Sequence, residues 1–177
     1  MASTHDTTIP VSRRDIIYVA TGAVGAVGVA SAIWPFISQM NPDQATIAAG
    51  APVEVDLTPI VEGQEIKIFW RGKPIYVRHR TPVEIKAAED VDVATLRDPQ
   101  PDSDRVKKDK SQWLVVIGIC THLGCVPIGY EGDYKGWFCP CHGSQYDTSG
   151  RIRQGPAPLN LYIPPYAFEG DAKIVIG

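Results

Sequence analysis

The sequence predicts an all-β protein: one antiparallel β domain with a single short helix and long loops, preceded by one N-terminal transmembrane helix. Three observations predict it. Residues 16–37, IIYVATGAVGAVGVASAIWPFI, contain no charged residue. Beyond residue 50, short runs rich in β-branched and aromatic residues recur between Gly, Pro and Asp. Only one later stretch, TPVEIKAAED at 81–90, has a helix's composition, with Thr81 as its cap and Pro82 in its first turn. The 177 residues allow one compact domain and an appendage. With 17 Lys and Arg against 20 Asp and Glu, the net charge is −3, so no basic excess points to nucleic acid.

Along the chain, residues 1–15 form an N-terminal segment that ends in SRRD, with Arg13 and Arg14 adjacent. Two arginines just before an apolar span keep that end in the cytoplasm and place everything beyond residue 37 on the other side of the membrane. The pair also matches a twin-arginine export signal, which carries proteins already folded around a cofactor. At about 1.5 Å per helical residue, 16–37 spans roughly 33 Å, enough to cross a hydrocarbon core of about 30 Å. Gly22, Gly25 and Gly28 recur three apart within it, and Trp34 lies near its far end, where headgroups favour aromatic rings.

Residues 38–50, SQMNPDQATIAAG, lose both the anchor's hydrophobicity and any strand alternation and read as a hinge or linker. The soluble domain is then 51–177. Its strand-like runs are VEVDL (53–57), EIKIFWR (65–71), PIYVRHR (74–80), QWLVVIGIC (112–120) and AKIVIG (172–177), with GKP as a hairpin turn between the second and third. Residues 97–110, RDPQPDSDRVKKDK, read as a solvated loop. His5 and His79 have no partner spacing and read as surface residues.

The chemistry sits in two clusters, CTHLGC (Cys120, His122, Cys125) and CPCHGS (Cys139, Cys141, His142), which contain all four cysteines and two of the four histidines. Four arrangements compete. A two-Cys, two-His zinc site lacks its usual ligand spacings. An all-thiolate iron–sulfur cluster is tight at Cys139-x-Cys141 and leaves both histidines idle. Two disulfides suit an exported chain but leave the same histidines unexplained. Pairing Cys120-x-His122 with Cys139-x2-His142 as ligands, with Cys125 and Cys141 left to each other, employs every residue.

CTHLGCVPIG (120–129) and FCPCHGSQYDTSGRIRQGPAPLNL (138–161) resemble the Rieske iron–sulfur family. The resemblance implies a Rieske-type β fold with one [2Fe–2S] cluster per chain and a cluster-binding subdomain at about 119–159. Cys120 and Cys139 would hold one iron, and His122 and His142 the other. Cys125 and Cys141 would form the disulfide that ties the two loops together. The hydroxyls of Ser144 and Tyr146 would bond a bridging sulfide and the Cys120 sulfur. GPAP (Gly155, Pro156, Ala157, Pro158) would be the loop that covers the cluster.

The single anchor, the hinge and GPAPLNL are similar to the cytochrome bc branch of the family, in its bacterial and mitochondrial form. That branch implies a subunit of ubiquinol–cytochrome c reductase on the bacterial inner membrane, its soluble domain periplasmic, in a dimeric complex with cytochrome b and a c-type cytochrome. His142 would contact ubiquinol and take its proton, and Leu123 would shield the cluster and dock on cytochrome b. Gln145 departs from the pattern, since many relatives have His there. The alternatives within the resemblance are the small subunit of a related oxidase such as arsenite oxidase, and a Rieske ferredoxin serving an oxygenase.

Overall fold

The computed structural model describes residues 12–177, so His5 and most of the N-terminal segment lie outside the described residues. Helix α1, Arg13–Ser38, contains the whole apolar span, and none of its residues is buried. Ser12 and Asp15 form a reciprocal capping box at its start, which places Arg13 and Arg14 in its first turn. A second, short helix, α2 (Gln44–Ala49), occupies part of the stretch expected to be a linker. The Asp43 carboxylate accepts the Thr46 N–H at 2.6 Å and caps it. The chain divides into two compact units, Met1–Thr46 and Ile47–Gly177.

The second unit is all-β apart from short helices. Its strands are β1 (Val53–Asp56), β2 (Glu65–Trp70), β3 (Lys73–His79), β4 (Trp113–Ile117), β5 (Ile128–Gly129), β6 (Lys135–Cys139), β7 (Ser144–Asp147), β8 (Ile152–Gln154), β9 (Tyr166–Glu169) and β10 (Lys173–Ile176). They form three antiparallel sheets, ordered β1-β10-β9, β2-β3-β4 and β5-β6-β7-β8. The one helix expected in the domain is present as α3, Pro82–Glu89, and Thr81 and Glu84 cap it reciprocally.

The β2–β3 hairpin turns one residue earlier than GKP implies. Arg71 (φ 51°) and Gly72 (φ 71°) are the two turn residues, and Lys73 and Pro74 already pair with Trp70 and Phe69. Two consecutive positive φ angles match the right-handed twist of the flanking strands, and glycine meets that requirement without strain.

The middle sheet explains the uninterrupted apolar run WLVVI in β4, because it is covered on both faces. Ile75, Val77, Trp113 and Val115 point into a core shared with Val55, Tyr166, Ile174 and Ile176 of the β1-β10-β9 sheet. Tyr76, Leu114 and Val116 point the other way, into a second core with Trp137, Tyr146, Ile152, Cys120 and Cys139. Alternation along β3 and β4 thus divides one sheet between two cores, and the second core is the floor of the cysteine clusters.

Two expectations need correction. Residues 97–110 are largely exposed, as a solvated loop should be, but two of their charged side chains are not: Asp102 and Arg105 are buried. Arg80 grips Asp102 through both guanidinium nitrogens at 2.7 and 3.0 Å, and Ser149 donates to the same carboxylate. Arg105 donates to the carbonyls of Ser149 and Leu161 and to Gln100. Part of the loop's charge is therefore structural: Asp102 is the counter-charge of buried Arg80, and Arg105 ties the loop to two carbonyls of the domain. His79 is likewise not a surface residue: it is half-buried, its ring stacks on Trp113 with centroids 4.1 Å apart, and Nδ1 lies 2.9 Å from the Ile60 carbonyl.

Candidate metal centre

Both cysteine clusters are loops closed at their own ends. In the first, the Cys120 N–H donates to Cys125 O at 2.8 Å and Gly124 N–H to Cys120 O at 2.9 Å, so the loop tip is held out from β4. The second is the hairpin between β6 and β7: Cys139 pairs with Ser144 across the ladder, and Gly143 N–H returns to Cys139 O at 2.9 Å. A disulfide joins Cys125 to Cys141 and fastens loop to loop. Cys120 and Cys139 remain free thiols, both buried in the second core.

The two imidazoles meet above them. The rings of His122 and His142 lie edge to face with centroids 4.7 Å apart. His142 is exposed, whereas His122 is half-buried and its Nδ1 is fully enclosed with no hydrogen-bond partner. A buried polar atom without a partner costs on the order of 1–3 kcal/mol, which metal coordination would remove. The sulfurs of Cys125, Cys139 and Cys141 also lie within 4.8 Å of one another, but the disulfide consumes two of these, so the available donors are two thiols and two imidazoles. Soft thiolates beside imidazoles suit iron–sulfur or zinc chemistry.

The hydrogen bonds around Cys120 favour its thiolate. Burial alone would raise its pKa, but donation from Tyr146, from the His122 N–H and from neighbouring groups outweighs burial and lowers it. Burial dominates at Cys139 and pushes its thiol up. The Tyr146 hydroxyl is 3.3 Å from Cys120 Sγ and accepts the Thr121 N–H at 3.2 Å, which leaves its own proton for the sulfur. Burial, followed by that bond to Cys120, holds the Tyr146 hydroxyl in its protonated form. Were Cys120 a ligand of a redox metal, removing the donor with Tyr146→Phe would cost the reduced state more than the oxidised one. A differential of about 1 kcal/mol lowers a one-electron potential by roughly 40 mV. Redox titration of the variant checks this, and an unchanged or raised potential contradicts it.

Ser144 is fully buried, and its Oγ accepts the Ala157 N–H at 3.1 Å. The Gly155–Pro158 segment therefore lies against the second loop. At Gly155 (φ +95°) a Cβ would fall 2.5 Å from Ser144 Cα and 2.7 Å from Gly143 O, a gap that only glycine fits. Ala157 is buried, whereas Pro156 and Pro158 face outward. Leu123, 70 % exposed, stands at the tip of the first loop. Gln145 contributes to the scaffold instead: its side-chain oxygen accepts the Asp133 N–H at 2.7 Å and its amide donates to the Asp133 carboxylate.

Three contributors escape sequence reasoning. Thr121 Oγ1 donates to Leu159 O at 2.6 Å and links the first loop to the third. The Tyr76 hydroxyl donates to Pro127 O at 2.6 Å and supports the segment just past Cys125. Arg97 reaches the third loop from the α3–β4 connection. The signal in each case is a long-range contact between segments that carry no motif.

A small antiparallel β domain that presents two disulfide-linked Cys/His loops over buried thiols defines a metal-binding protein of the thiolate–imidazole class. Family comparison matches residues 75–166 to the Rieske [2Fe-2S] domain and residues 3–43 to the family described as Ubiquitinol-cytochrome C reductase Fe-S subunit TAT signal. The chain is 70% identical to the ubiquinol-cytochrome c reductase iron-sulfur subunit of Bradyrhizobium diazoefficiens, over 94% of each chain. It is 64% identical to the subunit of the same name from Blastochloris viridis, over 96% of this chain and 95% of that one. A solved structure described as hyperthermophilic respiratory Complex III aligns with 89% of this chain and 98% of its own, with a TM-score of 0.55 and 30% identity. The chain belongs to the Rieske iron–sulfur family, among its ubiquinol–cytochrome c reductase iron–sulfur subunits. It is an electron-transfer subunit with a [2Fe–2S] cofactor, anchored by its apolar N-terminal helix with the soluble domain exported.

Proposed function

We propose that Cys120, His122, Cys139 and His142 hold the cluster, and that the chain takes an electron from ubiquinol at a cytochrome b surface and delivers it to a c-type cytochrome within a quinol–cytochrome c oxidoreductase. The observation that carries this reading is the convergence of two free buried thiols with two imidazoles, one of which has an enclosed, partnerless nitrogen. When bound, a [2Fe–2S] cluster with two imidazoles in place of two thiolates supplies a one-electron acceptor of raised potential, within about −150 to +300 mV.

The residues divide the remaining work. His142 is the exposed member of the imidazole pair, and its outward ring nitrogen accepts the quinol proton. His122, more enclosed, is the inner member. Leu123 and the outward prolines of the third loop form the apolar collar that docks on cytochrome b and keeps water from the thiols. The Cys125–Cys141 bond holds the loops in register. Reduced complex should give the electron paramagnetic resonance signal of a mixed-valence two-iron cluster, and a silent, zinc-containing protein would overturn the assignment.

Delivery to two partners requires the domain to move while its anchor stays fixed, and residues 38–50 are the hinge. Prolines at Ala45, Thr46 and Ile47 would remove the Thr46 N–H that Asp43 caps and replace α2 with a stiff extended segment. Slower quinol-to-cytochrome turnover is expected, with the cluster's spectrum and potential unchanged. Wild-type turnover in the assembled complex would favour a fixed relay.

A further inference from the structure

The third loop is held from outside the cluster region, and the hold leads to a single hydroxyl. Arg97 lies in the connection between α3 and β4, far from either cysteine loop in sequence. Its Nη1 donates to two carbonyls of the third loop, Gly155 O and Ala157 O, the latter at 2.7 Å. The next residue completes the grip. The Asp98 carboxylate accepts the Asn160 N–H at 2.9 Å, and Asp98 O accepts from the Asn160 side-chain amide at 3.1 Å. Asn160 Oδ1 in turn accepts the Ile152 N–H of β8 at 2.9 Å. Two adjacent residues thus fix both ends of the 155–160 segment.

One of that segment's polar links reaches the second cysteine loop. Ala157 N–H donates to Ser144 Oγ, two residues past His142, and both Ala157 and Ser144 are fully buried. A hydroxyl that accepts from a fixed N–H has its own hydrogen confined to the remaining directions. Gly155, packed on the Ser144 and Gly143 backbone with no room for a Cβ, carries the same restraint through van der Waals contact. Arg97 is exposed and Ser144 is not, so the clip acts on the interior through the loop.

We propose that Arg97, with Asp98, is a positioning residue for the electron-transfer centre: by holding Gly155 and Ala157 it fixes the Ala157 N–H that orients the Ser144 hydroxyl. This rests on the ligand assignment above. With the clip in place, the hydroxyl proton is aimed away from Ala157 and toward the space between the two loops. Without it the third loop relaxes outward, the hydroxyl rotates, and a group that accumulates negative charge on reduction loses a donor.

The test uses the assembled complex with Arg97→Gln, Arg97→Lys, Ser144→Ala and the Arg97→Gln/Ser144→Ala double variant, each titrated for the cluster's midpoint potential and electron paramagnetic resonance spectrum. Arg97→Gln should lower the reduction equilibrium constant about threefold, close to 30 mV at 59 mV per tenfold change. Arg97→Lys keeps the cation, but on a shorter side chain with a more strongly hydrated head than the guanidinium whose Nη1 makes both bonds, and should fall between Arg97→Gln and wild type. In the Ser144→Ala background, Arg97→Gln should produce no further shift, because the two changes act in series. A merely structural role would lower thermal stability and leave the potential alone, and that result overturns the proposal. So does an additive shift in the double variant. If Arg97→Gln fails to assemble, Arg97→Lys alone decides: a wild-type potential and spectrum reject the proposal. Absence of a Rieske-type signal in the wild-type preparation would instead reject the ligand assignment.

Discussion

His122→Ala and Cys139→Ala are each expected to yield complex with no [2Fe–2S] cluster, and with it no quinol oxidation. Among the described residues, each loop offers one free thiol and one imidazole, while the two remaining sulfurs are bonded to each other. Alanine offers no donor, and the buried loop floor, lined by Trp137, Tyr146 and Leu161, has no spare polar side chain of the right type to take its place. In Cys139→Ala the second core would also contain a hole beside the one remaining thiol, Cys120. Iron and acid-labile sulfide analysis of purified variants, together with the resonance spectrum, measures the outcome. A stoichiometric cluster in either variant would falsify the assignment.

Asp102→Ala should be the most damaging substitution outside the ligand set. It removes the counter-charge of Arg80, whose side chain is fully buried and whose remaining bonds go only to the Ser111 carbonyl. Leaving a buried guanidinium unpaired costs about 3–5 kcal/mol. It also frees Ser149 from the same carboxylate, next to the Arg105 and Arg151 networks that brace β7 and β8.

The effect has a defined pH dependence. Burial alone would raise the Asp102 pKa, but hydrogen bonds and charge from Arg80, with Ser149 and Arg151 behind them, outweigh it and hold the carboxyl below its ordinary value. A group with a depressed folded pKa contributes stability above its unfolded value, near 4, and loses it as pH falls through the folded pKa. The stability gap between wild type and Asp102→Ala should therefore be full at neutral pH and close only in acid below about pH 4. Thermal loss of the cluster's visible circular dichroism, followed across that range, measures it. A gap that is independent of pH would mean that packing, not charge, sets the cost.

What the sequence made legible follows from what each segment has to do alone. The anchor, β1 through β4, β10 and α3 are visible because each buries a simple apolar face or carries its own cap, and their ends lie within a residue or two of the expected ones for β1, β2 and β3. The QWLVVIGIC run is shorter than it reads, since β4 stops at Ile117 and the chain then turns toward Cys120. Strands β5 to β8 are hidden because they are short, and in β7 the burial is also polar. In SQYD, the run of β7, Ser144, Tyr146 and Asp147 are all buried; Ser144 and Tyr146 bond residues well away in sequence, and Asp147 bonds Arg151 just beyond the strand. Residues 97–110 mislead at Asp102 and Arg105. A run of charge is solvated unless buried partners of opposite sign await it, and Arg80, Arg105 and Arg151 become visible as buried only when the sheets are assembled. The cysteine and histidine spacings are legible because ligand geometry is local. The supports at Thr121, Tyr76 and Arg97 are not, because each reaches across the chain.

The pairing of β1 with β10, Val53 opposite Ile176, has a bearing on how the molecule is made. The first strand of the soluble domain can find its neighbour only after more than a hundred further residues have left the ribosome, whereas both cysteine loops and their four-stranded sheet lie within one continuous stretch between β4 and β9. Local contacts form early and distant ones late. The metal-binding half can therefore take shape and receive iron and sulfide while the outer sheet is still open, and closure of β1 onto β10 comes afterward. A truncated or stalled product that lacks β10 leaves β1 as an unpaired edge, open to pairing with another chain.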